Sequence, residues 1–168
     1  MTTHVPSSAP SADPTPDAAT RWLDAAEQEA WRAWMYSSQL LQAQLDRELT
    51  RETGISMTYY EILVQLSEAP DRRMRMSSLA DECLSSRSRL SHAVARLEER
   101  GWVQRQTCSE DGRGQLAVLT DEGFAALESA APVHVASVRA HLFDQLSPTQ
   151  VEAMRDFGET LLRHLKEH

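Results

Sequence analysis

Residues 76–120 read MSSLADECLSSRSRLSHAVARLEERGWVQRQTCSEDGRGQLAVLT, and the order of polar caps, apolar spacing and turn residues in this stretch decides the fold. Ser77 or Ser78 suits the N-cap of a short helix over SSLADECL, and Ser85 or Ser86 that of a second, SRSRLSHAVARLEER, which Gly101 ends. Two short helices joined by a tight turn form a helix-turn-helix unit. Beyond Gly101, WVQRQTC and QLAVLT have strand character, and SEDGRG between them supplies a turn. The expected product is a β-hairpin, or wing, directly after the second helix.

The flanks are helical. Upstream, Leu23, Ala26, Ala30, Trp34, Leu41, Leu45 and Leu49 recur near a 3.6-residue period from Trp22 until Gly54, which predicts one long helix. Thr58 with Glu61 has the form of a capping box, opening a short helix through Ile62, Leu63 and Leu66 that Pro70 closes. Downstream, Thr120 is placed to cap a helix whose first turn holds Asp121 and Glu122, the sign that suits the helix dipole. Leu127, Ala131, Val135, Val138 and Leu142 continue it, with Pro132 as a point of bending. Ser147-Pro148 with Gln150 supplies a cap, an N1 proline and a box partner for a last helix through Val151, Met154, Phe157, Leu161 and Leu165.

Residues 1–18, rich in Pro, Ser, Ala and Thr, carry too little apolar surface to offset the entropy of ordering and read as a disordered tail. The expected fold class is mainly α with a small β wing. Residues 19–168 read as a single unit, with 57–120 as a winged helix-turn-helix lobe and 19–56 and 121–168 as long terminal helices.

A chain of 168 residues suits one folding unit with a real core. Hydrophobic residues at 41% and charged ones at 25% are ordinary for a globular protein, and no apolar run approaches the roughly 18 residues of a membrane span. The N-terminus lacks the charged and apolar segments of a secretory signal, and the two cysteines, Cys83 and Cys108, are too few for a disulfide framework. A cytoplasmic chain, with no membrane partner, is expected. The net charge of −8 argues against nucleic acid until its distribution is considered: from Asp71 to Arg113 nine arginines stand against seven acids, a net +2 that leaves −10 for the remainder. A basic segment in an acidic chain is the electrostatic pattern of a DNA-reading surface on a protein that must not bind DNA indiscriminately.

Within that segment Leu90, Val94 and Leu97 form an apolar stripe, which turns Ser85, Ser88, Arg89, His92, Ala95 and Arg96 outward, with Arg87 at the flank. Arg grips guanine bidentately, Ser and His bond base edges or phosphates, and Ala95 allows close approach. A solvated polar face accounts for the same residues, but such a face usually alternates acids with bases, and this half has no acid before Glu98. At the hairpin tip, Asp111-Gly112-Arg113-Gly114 sets one arginine between two glycines, a geometry that can present it to a narrow minor groove with Asp111 as a brace. Asp-Gly turns are also common in plain hairpins.

In its combination of Leu79-Ala80, a Ser-rich turn, Arg96-Leu97-Glu98, Gly101, Val103, Arg105, Asp111-Gly112-Arg113-Gly114 and Leu119-Thr120-Asp121-Glu122-Gly123, the sequence resembles the MarR family of bacterial regulators. The helix order extends that resemblance over about residues 23–166. The resemblance implies a winged helix-turn-helix homodimer, in which the long terminal helices of two copies interlock and two lobes read a pseudo-palindromic operator in double-stranded DNA. The implied role is transcription regulation, as a repressor released by a small aromatic or phenolic effector. The candidate DNA contacts are Ser77, Ser86, Arg87, Ser88, Arg89, His92, Arg96, Asp111 and Arg113.

Trp31, Trp34, Met35, Tyr59 and Tyr60 are the candidates for an effector pocket, although aromatics at helical spacing more often serve a core or an interface. Cysteine-based redox control rests on Cys108, which has Arg105 and Arg113 near in sequence, whereas Cys83 reads as a small buried hydrophobe. His134 with His141, and His164 with His168, have spacings that suit a metal but lack a third ligand. No nucleophile elbow, zinc-protease, phosphate-loop or dinucleotide pattern occurs, so neither an enzyme nor a cofactor is expected. The remaining alternative is a winged-helix module that binds protein through the same outward helix.

Overall fold

The computed structural model describes residues 20–107 and 114–167. Contacts divide the chain into two units that meet at Tyr36, within the first helix, α1 (Ala25–Thr53). In the first unit α1 opens on a reciprocal cap: the Glu27 backbone N–H donates to Asp24 Oδ1 and the Asp24 N–H to Glu27 Oε2, both at 2.8 Å. Trp22, Trp31, Trp34 and Tyr36 are exposed along this part of the chain.

In the second unit α1 ends before Gly54, and α2 (Met57–Glu68) follows after a short link. The expected box between Thr58 and Glu61 does not form. The helix starts two residues earlier, Ser56 makes no side-chain cap, and Asp46 of α1 instead accepts from the Met57 N–H at 2.7 Å. A 3-10 turn at Pro70–Arg72 leads into β1 (Arg73–Arg75), a strand that the sequence reading lacks. β1 pairs antiparallel with β3 (Gln115–Leu119), which pairs on its other edge with β2 (Val103–Thr107), giving the order β1-β3-β2. Ala117 stands opposite Met74 on one side and Arg105 on the other.

The sheet sets the start of the helix-turn-helix. Pairing with Leu116 holds Arg75 extended (φ −62°, ψ 139°), so α3 (Met76–Glu82) begins directly from the strand. Arg75 therefore takes the N-cap position, and Ser77 and Ser78 lie inside the first turn rather than at the cap. The turn to α4 (Arg87–Glu99) passes through Leu84, an exposed leucine in the left-handed region (φ 46°). α4 leaves through Gly101, whose φ of 74° is the conformation that glycine adopts at least cost after a helix. Thr120 caps α5 (Asp121–His141) by accepting from the Gly123 N–H at 3.0 Å, and Ser147 and Gln150 form the expected box at the head of α6 (Pro148–Lys166).

The core lies where the lobe's elements meet. Ile62, Leu63 and Leu66 of α2, Leu79 of α3, Leu90, Val94 and Leu97 of α4, and Val103, Ala117 and Leu119 of the sheet are buried together, with Leu127 and Ala130 closing it from α5. At about 25 cal/mol per Å² of apolar area, each such leucine stabilises the lobe by roughly 1.5 to 3 kcal/mol. The fold is thus mainly α with a small antiparallel sheet. By contrast, α6 buries no residue at all. No helix among the described residues is long and apolar enough to cross a membrane.

Candidate nucleic-acid interface

α4 is built to show one face. Ser86 caps it, its hydroxyl accepting from the Arg89 N–H at 3.3 Å, which satisfies one of the helix's orphan donors and fixes the direction of entry. Leu90, Val94 and Leu97 are at most 2% exposed, and the rotation they fix turns Arg87, Ser88, Arg89, His92 and Arg96 outward into solvent. Among the described residues Arg87, Arg89 and His92 have no side-chain hydrogen bond or ion pair. Arg96 differs, because its guanidinium is held by Glu99 at 2.8 Å, a bond that also raises its pKa. Ser77 is exposed in the first turn of α3, and Ala95 is half-buried.

What holds α4 against the sheet is a clamp that sequence reasoning matched as a motif but gave no role. Glu98 accepts from the Arg105 backbone N–H at 3.0 Å and lies 3.4 Å from that residue's Nε. The same guanidinium donates to the Ser91 carbonyl at 2.6 Å. One arginine on β2 thus bonds α4 at two points seven residues, about two turns, apart and sets the angle between strand and helix. Its signal in sequence is a Glu and an Arg seven residues apart across Gly101. At the foot of α4, Arg100 donates to the Gly54 carbonyl at 3.2 Å, and its guanidinium lies 4.9 Å from the Trp102 ring centroid and 5.5 Å from that of Tyr59.

Other arginines of the basic segment are engaged within the fold. Arg72 sits 3.8 Å over the Phe124 ring and 3.2 Å from Asp121, and Arg73 is 2.7 Å from Asp71. The wing's strands pair out to Thr107 opposite Gln115. Asp111, Arg113 and Cys108 fall between those ends and lie outside the described residues. Cys83 is half-buried, and burial together with Glu61 and Glu82 pushes its thiol up to about 11, far from a reactive thiolate.

The aromatic candidates separate. Tyr60 is buried, meets the ring of His134 of α5 at a 40° tilt with centroids 4.7 Å apart, and lines a cavity of about 320 Å³ among α1, α2 and α5. Tyr59 lies beneath Arg100 instead. Trp31 and Trp34 are 55% and 45% exposed, and Met35 is half-buried on the same helix. His134 is missing from the sequence-based pocket, since only its contact with the Tyr60 ring gives it away. His141 does not join it: its Nε2 lies 2.9 Å from Glu48 Oε1. Among the described residues no group of three His, Cys, Asp or Glu could hold a metal.

A sequence model of the MarR family matches residues 53–114, which run from the end of α1 through α2 and the helix-turn-helix to the first strand of the wing, β2, and stop before β3. In structure the chain is similar to Sco3205, a MarR family transcriptional regulator from Streptomyces coelicolor solved in complex with DNA, at 47% identity. That likeness covers 87% of this chain and 92% of the other, with a TM-score of 0.81. AbsC, a MarR family transcriptional regulator from the same organism, is 42% identical over 89% of this chain and 100% of its own, also with a TM-score of 0.81. In sequence, the transcriptional repressor MprA of Escherichia coli (strain K12) is 25% identical over 118 residues, which cover 70% of this chain and 66% of the repressor. The fold, the outward face of α4 and the likeness to Sco3205 and AbsC across nearly their whole length agree: the chain belongs to the MarR family of transcriptional regulators.

Proposed function

We propose that this regulator is a homodimeric, sequence-specific repressor that reads a pseudo-palindromic operator and is released from it by a small molecule. The observation that carries the reading is the exposed, uncommitted row of Arg87, Ser88, Arg89 and His92 on α4, set opposite a fully buried stripe. Side chains that nothing inside the fold engages are free to exchange water for base edges in a major groove. The crystal structure of Sco3205 with DNA and the description of MprA as a repressor support DNA binding and the sign of regulation. Ser77 and Arg96 extend the same face toward phosphates, Ser86 contributes by fixing the helix start, and Arg113, with Asp111, reads the minor groove beside it.

The exposed face of α6 supports the dimer. A 19-residue helix without a buried residue, carrying exposed Phe157, Leu161, Leu162 and Leu165, displays an apolar stripe that water disfavours. A second copy covers it and places two recognition helices one turn of DNA apart, roughly 34 Å. Residues 57–120 then form the reading lobe, and 19–56 with 121–168 the dimerisation helices. The cavity beside Tyr60 and His134 is the effector seat, and the cytoplasm is the working compartment.

Selection of bound duplexes from a random pool by the full chain, with its mass in solution measured by sedimentation, tests this reading. An enriched inverted repeat bound by a dimer is expected. A pool that stays random, or a monomer that binds as tightly, would overturn it.

A further inference from the structure

The cavity of about 320 Å³ among α1, α2 and α5 combines an apolar body with an unusual charge. Leu45 and the rings of Tyr60 and His134, tilted 40° to each other, supply apolar wall, and Gln42 and Gln65 supply amide groups. No lysine or arginine lines it. Among the described residues its one acid, Glu61, has no hydrogen bond or ion pair; the residue stays exposed to solvent, and partial desolvation lifts its carboxyl above the ordinary range. Burial lowers the pKa of His134, whose Nδ1 is buried without a partner, so the ring stays neutral, and burial raises that of Tyr60, which keeps its phenol neutral too. An anion entering here meets no opposite charge and one like charge, whereas a cation meets the cavity's one carboxylate.

Resting on the effector reading above, we infer that this cavity takes a cationic aromatic amine, with its ammonium group against Glu61 and its ring against Tyr60 and His134. Glu61 also lines a second cavity, of about 240 Å³, together with Ser85 and Arg89. A charge bound at Glu61 therefore changes the field on the side that faces the recognition helix.

Three probes with one body separate charge from shape: naphthylmethylamine, naphthalenemethanol and naphthoate, titrated calorimetrically into the full chain without DNA. The amine should bind at least about tenfold tighter than the alcohol, with naphthoate weakest. Glu61→Gln should bring the amine down to the alcohol. Gln42→Lys, at an exposed position that tolerates the change, should turn the preference toward naphthoate. Naphthoate equal to or tighter than the amine, an unchanged ranking in Glu61→Gln, or no binding by any probe would overturn the inference. Adding the amine to the protein–duplex complex separates the two claims: calorimetric ranking as expected but DNA retained would leave the ligand class standing and remove the effector role.

Discussion

Gly123 has no side chain because there is no room for one. A Cβ there would collide with the Trp102 carbonyl oxygen and come within 2.8 Å of Leu119 Cδ1, and the first of these is backbone that cannot swing aside. Gly123→Ala should therefore destabilise the fold by about 1 to 3 kcal/mol, read as a lower midpoint in urea. The reason for this glycine was not legible from its Leu-Thr-Asp-Glu-Gly motif, since the decisive contact belongs to Trp102, 21 positions earlier. The arginines teach the same lesson. Counting charge located the basic segment, but Arg72, Arg73, Arg96, Arg100 and Arg105 have partners inside the fold, while Arg87 and Arg89 have none among the described residues. Net charge marked the segment as a whole, whereas the fold engages most of its arginines and leaves Arg87 and Arg89 uncommitted among the described residues. Arg89→Ala and His92→Ala should each cost about 1 to 3 kcal/mol of discrimination between operator and random duplex, measured by competition. An equal loss on both duplexes would assign the residue to phosphate.

At the scale of elements, α4 was readable because its stripe, its Ser86 cap and its Gly101 stop all agree. β1 was not readable: three residues, Arg-Met-Arg, carry too short an alternation, and the strand exists because β3 offers an edge to pair with. That pairing is also why the α3 cap moved to Arg75, a shift that local propensity cannot anticipate. The clamp between β2 and α4 gives α4 its bearing. Arg105→Ala leaves Glu98, with a side chain only 32% exposed, without its guanidinium. A cost of about 1 to 3 kcal/mol is expected, with faster amide exchange along β2 than in Leu66 or Leu79.

For the whole molecule, a second polar cluster ties α1 to α5. Glu48 accepts from the Ser137 hydroxyl, lies 2.9 Å from His141 Nε2 and accepts from Gln44 at 2.6 Å, and these bonds lower its carboxyl from 4.5 to about 2. A carboxyl lowered by folding stabilises the folded state above its unfolded value and loses that effect as acid protonates it. The advantage of the wild-type chain over Glu48→Gln should therefore be full above pH 4.5 and fade between about 4.5 and about 2, followed by thermal melting. An advantage independent of pH across that window would show that the carboxylate's charge is not what the bonds use. This cluster was invisible in sequence, because Glu48 and Ser137 stand 89 positions apart.

The most direct test of sequence reading by α4 is the affinity of the full chain for its selected duplex and for the same bases scrambled, measured by fluorescence anisotropy across salt concentrations. At physiological salt a preference of roughly 10³-fold or more for the selected duplex is expected, with both affinities falling as salt rises. Equal affinity for the two duplexes at every salt concentration would contradict it.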